Sequence, residues 1–186
     1  MSYQAKIDAF VESARDDTLT PEGVTPAVVT RGIPVNGRDS YGITALHRAV
    51  AAKRCDVVVA LLAAGADPNV KNNYGQTSML WGALQSTADI LQLLIDGGGS
   101  VNEVTNFGDT PLIMLARANN GGAAARLQVL LACPKLDLDA EYGGKTAEQW
   151  AVHTRHVELA SAIAQVRARR ERWSTLRASW VAATSS

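Results

Sequence analysis

The segment Gly143-Gly144-Lys145-Thr146 is where this chain comes nearest to phosphate chemistry, since glycine amides could cradle an oxyanion beside a neutralising lysine. A complete loop of that kind needs glycine at position 139, where Asp139 stands, and a strand leading into it. Nucleotide binding is not expected. His153 and His156 lie close together but lack the glutamate and the spacing that gather two imidazoles and a base around zinc on one helix face. Neither Cys55 nor Cys133 has a histidine that the sequence places beside it, and no serine sits in a nucleophile elbow. Both cysteines stand in apolar contexts and read as buried free thiols. No catalytic residue, metal site or cofactor is expected.

Without a reactive constellation, function has to come from surface. Eighteen basic and eighteen acidic side chains balance, so no global field recruits nucleic acid or an anionic membrane, and neither partner is expected. Residues 1–10 lack the apolar core of a secretion signal, and no apolar run approaches the roughly 18 residues of a membrane span. A cytoplasmic or nuclear, intracellular setting and a monomeric state are the expectations. A length of 186 residues suits one domain or one short array, and abundant Ala and Leu favour helices.

The elements that position the surface follow from a period. Sliding the chain by 33 residues lays Tyr41-Gly42-Ile43-Thr44 on Tyr74-Gly75-Gln76-Thr77 and on Phe107-Gly108-Asp109-Thr110. The same offset carries Gly65 to Gly98, and Asn36 to Asn69 to Asn102. A fourth copy, Gly144-Lys145-Thr146-Ala147, arrives 36 residues after its predecessor, and the extra three fit a loop insertion near 119–122. Within a unit the glycine suits a turn with positive φ, the threonine caps a first helix, and Pro111 stands just inside one. A second helix follows, as in Val57 to Leu62 and Ile90 to Ile95, with Gly65 or Gly98 at its left-handed end. Each pair is amphipathic and needs its neighbours to complete a core.

The residues Gly42-Ile43-Thr44-Ala45-Leu46-His47-Arg48-Ala49 and Leu61-Leu62-Ala63-Ala64-Gly65-Ala66-Asp67-Pro68-Asn69 closely resemble the ankyrin repeat, G-x-T-P-L-H-x-A followed by L-L-x-x-G-A-D-x-N. The pattern weakens at Ser78, Met79, Leu80 and Gly82 and returns at Thr110-Pro111-Leu112. The resemblance implies an all-α solenoid of stacked helix-turn-helix units with short β-turn fingers and helical caps. Residues 1–38 read as a degenerate capping unit, 39–71, 72–104, 105–140 and 141–166 as repeats, and 167–186 as a helical extension, all in one domain. It further implies a non-catalytic module or adaptor that binds an unidentified protein through turn tips and the exposed side of the first helices. Carried over by register, that surface comprises Tyr41 and Ile43, then Tyr74, Gln76, Trp81 and Leu84, then Phe107, Asp109 and Arg117. Two readings stand for the recurring aromatics: interface anchors, or rings packed on the adjacent turn. Trp81 is open in the same way between surface and core. The resemblance also gives His47 a hydrogen bond between turns, and it puts Asn36, Asn69 and Asn102 where ankyrin proteins undergo asparaginyl hydroxylation, although bonding between turns is their plainer role.

A second surface is suggested beyond the repeats. Arg167, Arg169, Arg170 and Arg172 precede Trp173, Leu176 and Trp180, whose spacing puts the three apolar residues on one helix face. Such a helix could serve a calmodulin-like or acidic partner. The plainer reading docks the stripe on the last repeat as a cap, with the arginines in solvent. Chemistry hidden in the insertion near Asn119 is the least favoured reading.

Overall fold

The computed structural model describes residues 2–16, 18–118 and 122–184; most of the expected insertion, residues 119–121, lies outside the described residues. The chain opens with α1 (Tyr3–Ser13) and α2 (Pro21–Thr25), the latter running on into a π-helical turn at Pro26–Thr30. Four helix pairs follow: α3 (Ala45–Ala51) with α4 (Cys55–Ala63), α5 (Ser78–Gln85) with α6 (Ala88–Asp96), α7 (Pro111–Arg117) with α8 (Ala123–Ala132), and α9 (Ala147–His153) with α10 (Val157–Thr184).

Threonine begins the first helix of every pair. The hydroxyls of Thr44, Thr77, Thr110 and Thr146 accept the amides of His47, Leu80, Ile113 and Gln149, satisfying donors that a helix N-terminus otherwise leaves open. The second helices α4 and α6 end where Gly65 and Gly98 take φ of 87° and 88°, and Ala66 and Gly99 donate back to Leu61 and Leu94.

The pairs stack in two rows. Helices α1, α3, α5, α7 and α9 touch in succession to form one row, and α2, α4, α6, α8 and α10 form the other. Between the rows lie Leu46, Leu61, Met79, Ile90, Leu94, Leu112, Leu127 and Ile163, all buried. Each contributes roughly 1.5–3 kcal/mol by leaving water. The all-α solenoid expected from the sequence is the observed fold.

The fourth finger differs from the others. Strands β1 (Glu141–Tyr142) and β2 (Lys145–Thr146) pair antiparallel across Gly143 and Gly144, whose φ of 57° and 69° meet the demand of a two-residue hairpin for two left-handed positions. The apparent phosphate loop is therefore a hairpin turn.

Two expectations need correction. Cys55 is exposed at the start of α4 and Cys133 is half-buried at the end of α8, so neither thiol is a core residue. The C-terminal stripe does not dock on the last repeat either: α10 is one helix of 28 residues, about 42 Å long. Its first half buries Leu159, Ala160 and Ile163, whereas every described residue from Glu171 onward is exposed.

Candidate partner-binding face

Each finger is a turn tied by one side chain. Asp39 accepts the amides of Tyr41 and Ile43 at 2.8 and 2.9 Å, and Asn72 accepts those of Tyr74 and Gln76, both at 2.9 Å. Thr105 does the same for Phe107 and Asp109 at 3.1 and 3.2 Å. Such local bonds fix the turn before any packing acts on it. Neighbouring fingers are then joined by backbone, the amide of Asn73 donating to the Tyr41 carbonyl and that of Asn106 to the Tyr74 carbonyl, each at 3.0 Å. Side-chain amides of Asn73 and Asn106 reinforce the ladder by donating to the Ser40 and Asn73 carbonyls. On this rigid edge Tyr41, Tyr74 and Phe107 stand 56, 51 and 67% exposed, not packed away on the next turn.

Ile43 and Asp109, expected on the same face, are buried, and this corrects their assignment. Both turn inward behind the tips, where Asp109 forms an ion pair with Arg117. Gln76 is half-buried, its Oε1 accepting from the Asn72 side chain at 3.0 Å and from the Trp81 indole at 2.9 Å. Trp81 is thereby held edge-on to the His47 ring at 5.3 Å, half-buried and belonging to both core and face. Leu84 is half-buried one turn further along α5.

His47 lies wholly within the stack. Its Nδ1 accepts the Thr44 amide at 3.3 Å, so Nε2 carries the proton and donates to the Gln76 carbonyl of the next unit at 3.1 Å. Burial pushes its pKa down to about 4, outweighing the bond to Gln76, which works in the opposite direction. The imidazole is a neutral tie between units.

The asparagines tie the outer loops likewise. Asn36, Asn69 and Asn102 accept the amides of Asp67, Ser100 and Asp137 at 2.8, 2.8 and 2.9 Å. Their side-chain amides donate to the carbonyls of Gly65, Gly98 and Lys135.

At the far end of the face stands a group that sequence reasoning missed. The Arg117 guanidinium lies 4.4 Å from the Tyr142 ring centre and 5.1 Å from that of Trp150, and the Lys145 Nζ lies 5.1 Å from the Trp150 ring centre. Favourable cation–ring contacts of this kind hold the fourth finger against the third helix pair. The adjacent glycines at 143 and 144 were the available signal for a hairpin there, but the register shift of three residues obscured which side chains it would present.

The arginines of α10 divide into two sets. Arg167 pairs with Asp139 and Glu148 and donates to the Leu138 carbonyl, while Arg170 donates to the carbonyls of Leu136 and Cys133 at 2.6 and 2.8 Å. Their expected place on a partner surface is corrected, because they clamp α10 to the array. Arg169, Arg172, Trp173, Leu176 and Trp180 point into solvent.

Comparison with known proteins agrees with this geometry. Residues 28–79, spanning α3, α4 and the start of α5, match the family model for ankyrin repeats (many copies). A search of curated proteins finds no match. Residues 28–79 are thus ankyrin repeats by this match, and the same threonine cap, turn glycine and asparagine tie recur after them at Thr110, Gly108 and Asn102.

Proposed function

We propose that this chain, built of repeats that are in general protein-interaction modules, is a non-catalytic adaptor that holds a partner protein against its finger tips and the adjoining face of α5 and α7. The supporting observation is the row Tyr41, Tyr74 and Phe107, three exposed aromatics at equivalent places on fingers joined by backbone bonds. Preorganisation matters because a fixed edge loses little entropy when a partner docks, and aromatic anchors bury large area at low rotamer cost. Trp81, Leu84 and Arg117 flank the tips and supply an apolar floor and a cation. Cross-linking mass spectrometry in native extract tests the reading by comparing wild type with Tyr41→Ala, Tyr74→Ala and Phe107→Ala combined. Loss of specific partners with the fold retained supports it, and retention of all of them rejects it.

A second reading draws on the exposed stripe of α10: the chain is a regulatory protein engaged through this basic helix by an acidic partner. Trp173 and Trp180, 67 and 68% exposed, are its basis.

A further inference from the structure

Two large indoles left in water on the outer half of α10, with Leu176 and Val181 exposed beside them, need a cover. The body of the protein does not supply it. On a helix with about 3.6 residues per turn, the array-facing line through Leu159, Ile163 and Arg170 is rotated by about 90° from the line through Trp173, Leu176 and Trp180. The clamp made by Arg167 and Arg170 ends the contact with the array just before the stripe begins. What remains is an exposed apolar strip that starts beside Pro134 and carries Trp173, Leu176, Trp180 and Val181, with Arg169 at its head.

The charges define the occupant. On the same wheel Arg177 lies about 60° to one side of the stripe and Arg172 about 80° to the other, with Arg169 in line one turn before Trp173. None of the three has an ion pair among the described residues, and the acidic residue of this segment, Glu171, falls on the opposite face, about 180° away. An apolar line fringed by cations is complementary to an apolar floor rimmed by carboxylates. A second copy of the chain fits poorly. Antiparallel pairing of Trp173 with Trp180 brings Arg177 beside its own symmetry mate, and parallel pairing sets every arginine against itself.

The geometry points to residues 169–181 as a helical ligand for an acidic, apolar-floored protein groove of the kind that a calcium-loaded EF-hand protein opens. This deepens the second reading above and rests on it. Trp173, Leu176 and Trp180 are the anchors at i, i+3 and i+7, and Arg169, Arg172 and Arg177 meet the carboxylate rim. Arg167 and Arg170 stay with the array, so the ligand is presented as a helix already formed.

Calorimetric titration of the full chain with calcium-loaded calmodulin, at low ionic strength, tests this. Binding is expected, abolished by calcium chelation and weakened at least about tenfold by Trp173→Ala with Trp180→Ala, and equally by Arg169→Glu, Arg172→Glu and Arg177→Glu combined. All these side chains are exposed, so circular dichroism and the thermal midpoint should match wild type and separate lost binding from lost folding. The variant lacking Tyr41, Tyr74 and Phe107 should bind as wild type does. No binding, or binding indifferent to the helix variants, overturns the proposal. So does stripe-dependent association with phosphatidylserine vesicles or stripe-dependent dimerisation in place of calmodulin binding. Loss of binding in the finger variant alone would overturn it too and leave the finger-tip reading standing.

Discussion

The Nε2 atom of His47 lies 3.1 Å from the carbonyl oxygen of Gln76, so one buried imidazole joins the first turn of α3 to the finger of the following unit. The neutral ring is needed for the pair of bonds it makes, because Nδ1 must accept from the Thr44 amide while Nε2 donates to Gln76. With a folded-state pKa of about 4 against the usual 6.5, the native chain binds fewer protons than the unfolded chain across that window. Stability from this site is therefore complete above pH 6.5 and falls as the pH drops towards 4, by on the order of 3 kcal/mol. His47→Gln, which copies Gln149 at the same place in α9, keeps the cap and removes this titration. Urea midpoints measured between pH 4 and 7 should fall with acid more steeply in wild type than in the variant.

Asn69 serves two backbone groups in the next unit, accepting from Ser100 at 2.8 Å and donating to Gly98 at 3.0 Å. Asn69→Ala should cost about 1–2 kcal/mol by leaving both without their partner, read as a lower urea midpoint with an unchanged m-value.

Two left-handed glycines should respond differently to alanine. At Gly75 a Cβ would sit 2.4 Å from Oδ1 and 2.6 Å from the backbone nitrogen of Asn106, whereas nothing stands within 4 Å of the same position at Gly65. Gly65→Ala should cost only the conformational penalty, about 1 kcal/mol. Gly75→Ala should cost more than twice that and push the second and third fingers apart, which thermal denaturation and the Asn106 amide shift would register.

The two halves of α10 should separate in stability. Trp173→Ala with Trp180→Ala should leave the unfolding free energy within about 0.5 kcal/mol of wild type, as expected for exposed positions. Arg170→Ala removes two bonds to the loop after α8 and should lower it measurably. A large loss on removing the tryptophans would mean that the stripe is packed on the array after all.

Much of the fold is readable in the chain because the repeat is written in residues with narrow backbone roles. Thr44, Thr77, Thr110 and Thr146 announce helix starts, and Gly42, Gly75 and Gly108 announce turns with φ of 74°, 73° and 91°. The asparagine spacing likewise points to ties between loops. What the chain does not reveal is orientation. Ile43, Gln76 and Asp109 share one register position, yet the first and third are buried and the second only half so, since the neighbouring finger decides what is covered. Arg167 and Arg169 differ in role through a rotation of about 200° about the helix axis, and amphipathicity alone says which residues share a face but not what lies against it.

Tyr41, Tyr74 and Phe107 act as one surface only if the fingers form one bonded edge; without it they are three unrelated exposed rings. Native-state hydrogen exchange at the amides of Asn73 and Asn106 measures this directly, because each donates to the finger before it. Strong and similar protection of both amides is the predicted result. Exchange at the rate of a free loop at either position would contradict it.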